Sequence, residues 1–321
     1  VNLITPDTID FSAYMRETET STKVRPAAAY MQELIDALGT TDTSPRAYLP
    51  WDKTHDKFAF RPGEVTLWAG VNGHGKSLIT GMVALSLMAQ NERVCVASFE
   101  MKPRKSLERM TRQWTAELPS GDFGMDERVI AAFKDLYEQF QGFTDKRLWF
   151  YDQQGTVDVG TLIGVIRYCA KELGIQHFFI DSLMKCVSGE DDYNGQKNFV
   201  DELTAIARDY GMHIHLVHHI KKLSSEEAQP DKMDVKGTGA ITDQVDNLLL
   251  VWRNKKKEKD QQAGKKSAND EPDALLICEK QRNGEWEGRV GLWFERHSQQ
   301  YVPNFGAPAL TFYDFPHRSV S

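Results

Sequence analysis

The sequence predicts an α/β domain: a mostly parallel sheet flanked by helices, with antiparallel strands at the C-terminal end and a helix ahead of it. Three observations carry this. From Arg61 onward, short β-branched or aromatic runs alternate with long amphipathic stretches, the pattern of strands covered by helices. The last apolar runs follow one another too closely for crossover helices, so they must pair antiparallel. A glycine-rich turn also joins a fully apolar strand to an apolar helix.

Taken in order, Ala27, Tyr30, Met31, Leu34 and Leu38 share one face of a helix spanning 26–38, with Pro26 in the first turn and Gly39 at the stop. A helix this short is marginal alone and must dock, on its own domain or on a neighbouring subunit. Residues 1–50 otherwise promise little core, and the Thr/Ser/Pro-rich stretch 40–50 reads as a linker. Strands are expected at Val65–Ala69, Val94–Phe99, Leu148–Tyr151, His177–Ile180, Ile214–Val217, Asn247–Trp252, Ala274–Cys278 and Arg289–Phe294. Helices are expected at Lys76–Gln90, Lys105–Glu117, Glu127–Gln141, Val159–Leu173 and Gln196–Tyr210, and a mobile loop at Asn254–Asp270. Trp68, Trp252 and Trp293 read as core. The expected division is an N-terminal segment 1–50, a main domain 51–305 and a tail 306–321.

With 39 Lys and Arg against 46 Asp and Glu, the 321 residues carry a net charge of −7. Any nucleic acid must therefore meet a local basic strip and not the whole surface. No run reaches the ~18–20 apolar residues of a membrane span. Cys95, Cys169, Cys186 and Cys278 form no C-x-x-C pair, which argues against a zinc ribbon or disulfide framework and for a reducing cytoplasm. The chain begins at Val1 and not Met, leaving room for domains upstream.

Gly70-Val71-Asn72-Gly73-His74-Gly75-Lys76-Ser77 is a complete G-x-x-x-x-G-K-S. Such a loop wraps backbone N–H groups around phosphate oxygens at a helix N-terminus. It implies a nucleoside triphosphate cradled by Gly70, Asn72, Gly73, His74, Gly75, Lys76, Ser77 and Leu78, with Lys76 on the β/γ-phosphates and Ser77 on Mg²⁺. His177-Phe178-Phe179-Ile180-Asp181 is an apolar strand ending in a carboxylate. Asp181 there is placed for the hydration shell of Mg²⁺, the alternative being a helix N-cap. Glu100 ends another strand, where it could orient an attacking water or simply be a surface carboxylate.

Arg61-Pro62-Gly63-Glu64, the phosphate loop, Ser98-Phe99-Glu100-Met101, Phe179-Ile180-Asp181, Lys236-Gly237-Thr238-Gly239-Ala240 with Asp246-Asn247, and Lys280-Gln281-Arg282-Asn283-Gly284 occur in this order. The series resembles the RecA-like motor domain of hexameric replicative DNA helicases, the DnaB and Twinkle group and their phage relatives, from about Leu49 to Val302. The resemblance implies an ATP-dependent helicase of the 5′–3′ type, using ATP or another triphosphate with Mg²⁺. It implies a self-associated ring, a homo-hexamer, that grips single-stranded DNA in its pore, in the cytoplasm (the host's, for a phage-encoded chain). Glu100 then looks like the carboxylate that activates water and His219 like the sensor of the γ-phosphate. Lys280 and Arg282 look like cations donated to the ATP of the adjacent subunit, while Arg253 and Phe294 look like residues bordering the base. A primase, or a primase domain, and replication proteins are the implied partners. No primase domain, zinc ribbon or DnaB-type N-terminal helical domain occurs within the 321 residues.

Independently of the resemblance, Lys280 and Arg282 alternate on one strand face and need an anion, although a charged edge strand would also explain them. Three segments leave the carboxyl ends of strands without a core pattern: Lys185–Lys197, Lys221–Lys236 and Asn254–Lys266. The third has six Lys against Glu258 and Asp260, a net of +4. Lys185, Lys221, Lys222 and Lys236 are the expected DNA contacts, through phosphates and without reading sequence. His213, His215, His218 and His219 lack the cysteines or paired carboxylates of a zinc set and read as packed strand histidines plus one sensor. A RecA- or KaiC-type ATPase, and a nucleotide-gated DNA clamp or loader, remain open as alternatives on the same fold.

Overall fold

Along β4 (Val65–Gly70) every residue is buried, as a central strand covered on both faces requires. Val65, Leu67 and Ala69 join one apolar cluster and Trp68 the other, because successive side chains of a strand point to opposite faces. The computed structural model describes residues 2–4, 10–14, 31, 46–116, 127–189, 191–221, 223–225, 227–235, 239–265 and 271–312.

Among these, β4 lies inside one large sheet. Its parallel run is, in spatial order, β1 (Asn2–Ile4), β6 (Leu148–Tyr151), β5 (Val94–Ser98), β7 (His177–Asp181), β8 (His213–His219), β4 and β9 (Asn247–Arg253). Antiparallel β10 (Ala274–Gln281), β11 (Gly288–Glu295) and β12 (Gln300–Val302) complete it. A separate short ladder joins β2 (Ala47–Tyr48) to β3 (Ala59–Phe60).

One face is covered by α1 (Lys76–Ala89), α2 (Pro103–Thr115) and α3 (Glu127–Thr144), which bury Ile79, Met82, Met110, Trp114 and Phe140. The other is covered by α4 (Val159–Glu172), α5 (Tyr193–Tyr210) and α6 (Gly239–Gln244), with Leu162, Ile166, Phe199, Leu203 and Ile241 inward. Local chemistry sets the ends. Asp158 and Asp192 accept the backbone N–H of Thr161 and Gly195, capping α4 and α5. Pro103 opens α2, and left-handed Gly211 closes α5.

The fold class is as expected, and the eight expected strands are all present, Leu148–Tyr151 with the same bounds and the others with shifted ends. Several details differ. Asn2–Ile4 forms an edge strand parallel to β6, Ile4 and Phe11 are buried, and so are Ala47, Leu49 and Trp51. Residues 1–50 thus hold more core than their sparse apolar pattern suggested. The stretch expected to be a mobile loop after Asn254 instead forms a polar helix, α7 (Lys255–Gln262). Asn254 caps it by accepting the Lys257 N–H, and the Lys257 ammonium is buried 2.8 Å from Asp273. Fixed ends and one buried ion pair thus hold a helix that has no apolar face. Trp293 is half-buried, with the Lys53 ammonium over its ring, and is not core. The helix expected at 26–38 lies, apart from exposed Met31, outside the described residues.

Three strand histidines are hydrogen-bonded in two short chains across the sheet. Trp68 Nε1–H donates to His215 Nδ1 at 3.2 Å, and His215 Nε2 lies 3.0 Å from His177 Nδ1. Thr66 Oγ1 lies 2.8 Å from His213 Nε2, whose Nδ1 meets the Arg61 carbonyl at 2.7 Å. Phe179 stacks on His215 at 4.0 Å. Each ring is neutral in this arrangement: Nδ1–H of His213 donates to the carbonyl, and Nε2–H of His215 donates to His177. Burial pushes His213 down to about 4, and His177 and His215 well below the usual histidine value.

Unfolded histidines titrate near 6.5, so the unfolded chain takes up protons first as pH falls. The stabilisation is complete above about pH 6.5 and is lost on descent toward about 4. Urea unfolding should therefore show a drop on the order of 2 kcal/mol from His213 alone between pH 7 and pH 5. An unchanged midpoint over that interval would contradict the neutral chain.

Candidate functional site

Parallel register assembles one end of the sheet. Gly70 lies level with His219, and Ser98 with Asp181, so the loop after β4 meets the carboxyl ends of β7 and β8 with Glu100 just past β5. This is where open α/β sheets bind ligands. The loop is tight for steric reasons. A Cβ on Gly70 would sit 2.5 Å from the Val251 carbonyl of β9, and one on Gly75 would sit 2.6 Å from the Tyr301 hydroxyl. Gly75, at φ 89°, also caps α1 in a left-handed conformation.

Lys76 is buried, and its Nζ donates to the carbonyls of Gly70 at 2.8 Å and Val71 at 3.2 Å. Burial lowers its pKa to about 8, against the opposing pull of Asp181 and Glu100. Ser77 Oγ donates to Asp181 Oδ2 at 2.9 Å. Desolvation raises Asp181, while the Ser77 hydrogen bond holds it down. Glu100 is exposed, with the Ser182 hydroxyl 3.5 Å from Oε1. A cation wedged under backbone carbonyls beside a hydroxyl–carboxylate pair is a donor set that fits a triphosphate with Mg²⁺. The Ser77 hydroxyl and Asp181 oxygens are of the hard type Mg²⁺ takes, and Lys76 is a point charge for phosphate.

His74 turns its ring inward, accepting the Arg253 N–H at 3.2 Å, and burial with nearby cations lowers it to about 4. Any part it has in the cradle is therefore through its backbone. Arg253 and Phe294 do come together, with Leu78, Glu258 and Tyr301, around an open cavity of about 530 Å³ beside the loop. Its far wall is α7, so the third Lys-rich segment flanks this cavity. Lys255, Lys257 and Lys265 are paired there with Glu258, Asp273 and Asp260.

Lys280 and Arg282 lie toward the opposite end of the strands, and β10 is flanked by β9 and β11, so it is not the charged edge strand of the alternative reading. Gln281 is in register with Asn247, which is level with Thr66. The pair is thus four or five residues, roughly 13–16 Å along the strand, from Gly70. Lys280 Nζ donates to the carbonyls of Thr242, Asp243 and Val245 at the end of α6, where helix carbonyls are in excess. Arg282 stays 41% exposed, beside Asp246.

Of the expected DNA contacts, Lys185 is half-buried at the end of a single 3₁₀ turn after β7. Lys221 is exposed, its segment pinned by the Ile220–Val235 bridge. Lys222 and Lys236 lie outside the described residues. Sequence reasoning missed Tyr301, hidden in a strand of three residues, and Arg109. Arg109 lines a cavity of about 40 Å³ with Ser77, Ser98 and Asp181, and its charge pulls Asp181 down. Helical spacing from buried Ser106 could have pointed to Arg109.

Fold and site together define a RecA-like P-loop nucleoside triphosphatase. Residues 54–303 match the DnaB-like helicase C-terminal domain family. This chain belongs to that family, and is accordingly a helicase motor that hydrolyses nucleoside triphosphate and needs nucleotide and Mg²⁺. Among solved structures, it is similar to one described as an ATPase domain, with 16% identity and a TM-score of 0.67 over 89% of this chain and 99% of that one. It is also similar to a DnaB-like replicative helicase described with its interactions with primase. There the identity is 15% and the TM-score 0.69, over 87% of this chain and 68% of that one. Among the described residues, no helix is long and apolar enough to cross a membrane.

Lys76 yields a pH prediction. Bound phosphate favours the ammonium, which the free protein already holds below pH 8 and must acquire above it. Nucleotide affinity should be flat to about pH 8 and then fall roughly tenfold per unit, read by titration with a fluorescent triphosphate. A flat profile to about pH 9.5 would remove Lys76 from the phosphates.

Proposed function

We propose that this chain forms a ring, a homo-hexamer, that moves along single-stranded DNA by hydrolysing ATP at the contacts between protomers. One observation carries the reading: Lys280 and Arg282 are together at the end of the sheet's strands remote from their own phosphate loop, and Arg282 is exposed. Cations so placed can serve a triphosphate only on another copy.

In this reading Gly70, Asn72, Gly73, His74, Gly75, Lys76, Ser77 and Leu78 hold the phosphates, and Arg253 and Phe294 border the base. Ser77 and Asp181 would hold Mg²⁺, which would supply charge neutralisation to the triphosphate. Glu100 accepts a proton from the water whose oxygen bonds to Pγ while the bond from Pγ to the β,γ-bridging oxygen breaks. ADP and inorganic phosphate leave. His219, level with Gly70 at the end of β8, senses whether the γ-phosphate is present. The neighbour's Arg282 offsets the charge that develops, and Lys280, whose three N–H donors meet carbonyls at the end of α6, adds positive potential beside it. Lys185, Lys221, Lys222 and Lys236 meet DNA phosphates in the pore, which lets an acidic chain hold DNA. Primase and other replication proteins are the proposed partners, the cytoplasm the proposed location, and 5′ to 3′ the proposed direction.

Mixing protomers tests the shared site. Arg282→Ala should bind nucleotide normally yet lose hydrolysis by about 10³-fold, and Lys76→Ala should lose binding. Combined, they should regain turnover at contacts that pair an intact loop with an intact Arg282. Mixtures no more active than the separate variants, or normal turnover by Arg282→Ala alone, would refute the proposal.

A further inference from the structure

Arg282 is not left to wander at the end of β10. Its Nη1 lies 3.3 Å from Asp246 Oδ1, and Nη2 donates to the carbonyls of Asp243 at 3.1 Å and Gln244 at 3.4 Å. Its backbone N–H donates to the Asp246 carbonyl at 2.9 Å. Asp246 is itself immobilised: it is 3% exposed, and Oδ2 accepts the Val65 N–H at 3.0 Å where β4 begins. Arg208 of α5 comes within 3.7 Å of Oδ1. The next residue, Asn283, donates to Glu64 Oε1 at 2.7 Å, and Glu64 is likewise buried.

A guanidinium offers five N–H donors in a rigid plane. The tether draws on Nη1 and Nη2 and leaves Nε–H, with the outward hydrogens of the terminal nitrogens, for an external oxyanion. We infer that Asp246 is a positioning residue for hydrolysis on the neighbouring protomer. Its buried carboxylate fixes the plane in which Arg282 meets the partner's triphosphate. The inference rests on the shared-site reading above. Its physical basis is pre-organisation: a long side chain held before the encounter loses less freedom on engaging phosphate, and small misplacements of such a group are costly in rate. Asp246 immediately precedes the strand that borders β4, so the orientation of Arg282 is tied to the sheet and not to a surface loop.

Asp246→Asn separates this role from a structural one. The amide oxygen can still accept the Val65 N–H, while the charge pairing with Arg282 is lost. DNA-stimulated ATP turnover should fall roughly tenfold in kcat, with KM and nucleotide affinity unchanged. In an Arg282→Ala background the same substitution should cost nothing further. Mixed with Lys76→Ala protomers, Asp246→Asn protomers should recover turnover, because their own phosphate loop is intact and the partner supplies a well-held Arg282. Wild-type kcat in Asp246→Asn beside an inactive Arg282→Ala would overturn the inference and leave the shared site standing. An equal loss in both backgrounds would also overturn it. Normal turnover in Arg282→Ala would instead remove the shared site. If Asp246→Asn does not fold, Arg282→Lys carries the test. Its ammonium keeps the charge but cannot span Asp246 and the α6 carbonyls while facing outward, so turnover should fall with affinity retained. Wild-type turnover there would overturn the inference.

Discussion

The register of β4 between β8 and β9 is the constraint from which the chemistry of this molecule follows. Because Gly70 is level with His219 and Thr66 with Asn247, the two ends of one strand define two different chemical regions. The carboxyl end gathers Lys76, Ser77, Asp181 and Glu100 around a phosphate cradle. The amino end gathers Glu64, Asp246 and Asn247, carboxylates and an amide that hold the segment carrying the cations at 280 and 282. A slip of one residue would turn Trp68 and Leu67 to the wrong faces and break up both regions at once.

Both regions bury charge and depend on close pairing to do so. Lys76 lies under carbonyls, Asp181 accepts from Ser77, and Asp246 sits between a backbone N–H and two arginines. Removing one partner would strand the other in a poorly solvated site, which costs more than an exposed pair gains. Level with the start of β4, the neutral histidines of β7 and β8 satisfy strand side chains that would otherwise be buried and unpaired, and they do so without any charge. The buried polar groups of this sheet are therefore of two kinds, closely paired charges and neutral hydrogen-bonded rings.

Much of this was legible from the chain. The phosphate loop declares itself because glycine spacing, strand and helix all agree, and Asp181 because a carboxylate closing an apolar strand is conspicuous. The pairing of Lys280 with Arg282 was readable as a demand for an anion. That the partners within the protomer are the neutral carbonyls of α6 and one carboxylate, Asp246, was not, since they lie about forty residues away in sequence. Short or polar elements were the ones missed. Asn2–Ile4 and Gln300–Val302 are too brief to show a period, and α7 has no apolar face, so its cap and the Lys257–Asp273 pair are invisible to pattern. Arg109 and Tyr301 escaped because their relevance arises only from what the fold places beside them.

The contact between Gly75 and the Tyr301 hydroxyl bears on how the molecule is made. Val65 leaves the ribosome long before His213 and Asn247, which begin the strands on either side of it, and Tyr301 arrives later still. Non-local pairings of this kind form slowly, and unpaired apolar strands invite aggregation in the interval. The residue that backs Gly75 of the phosphate loop is thus among the last pieces of the domain supplied.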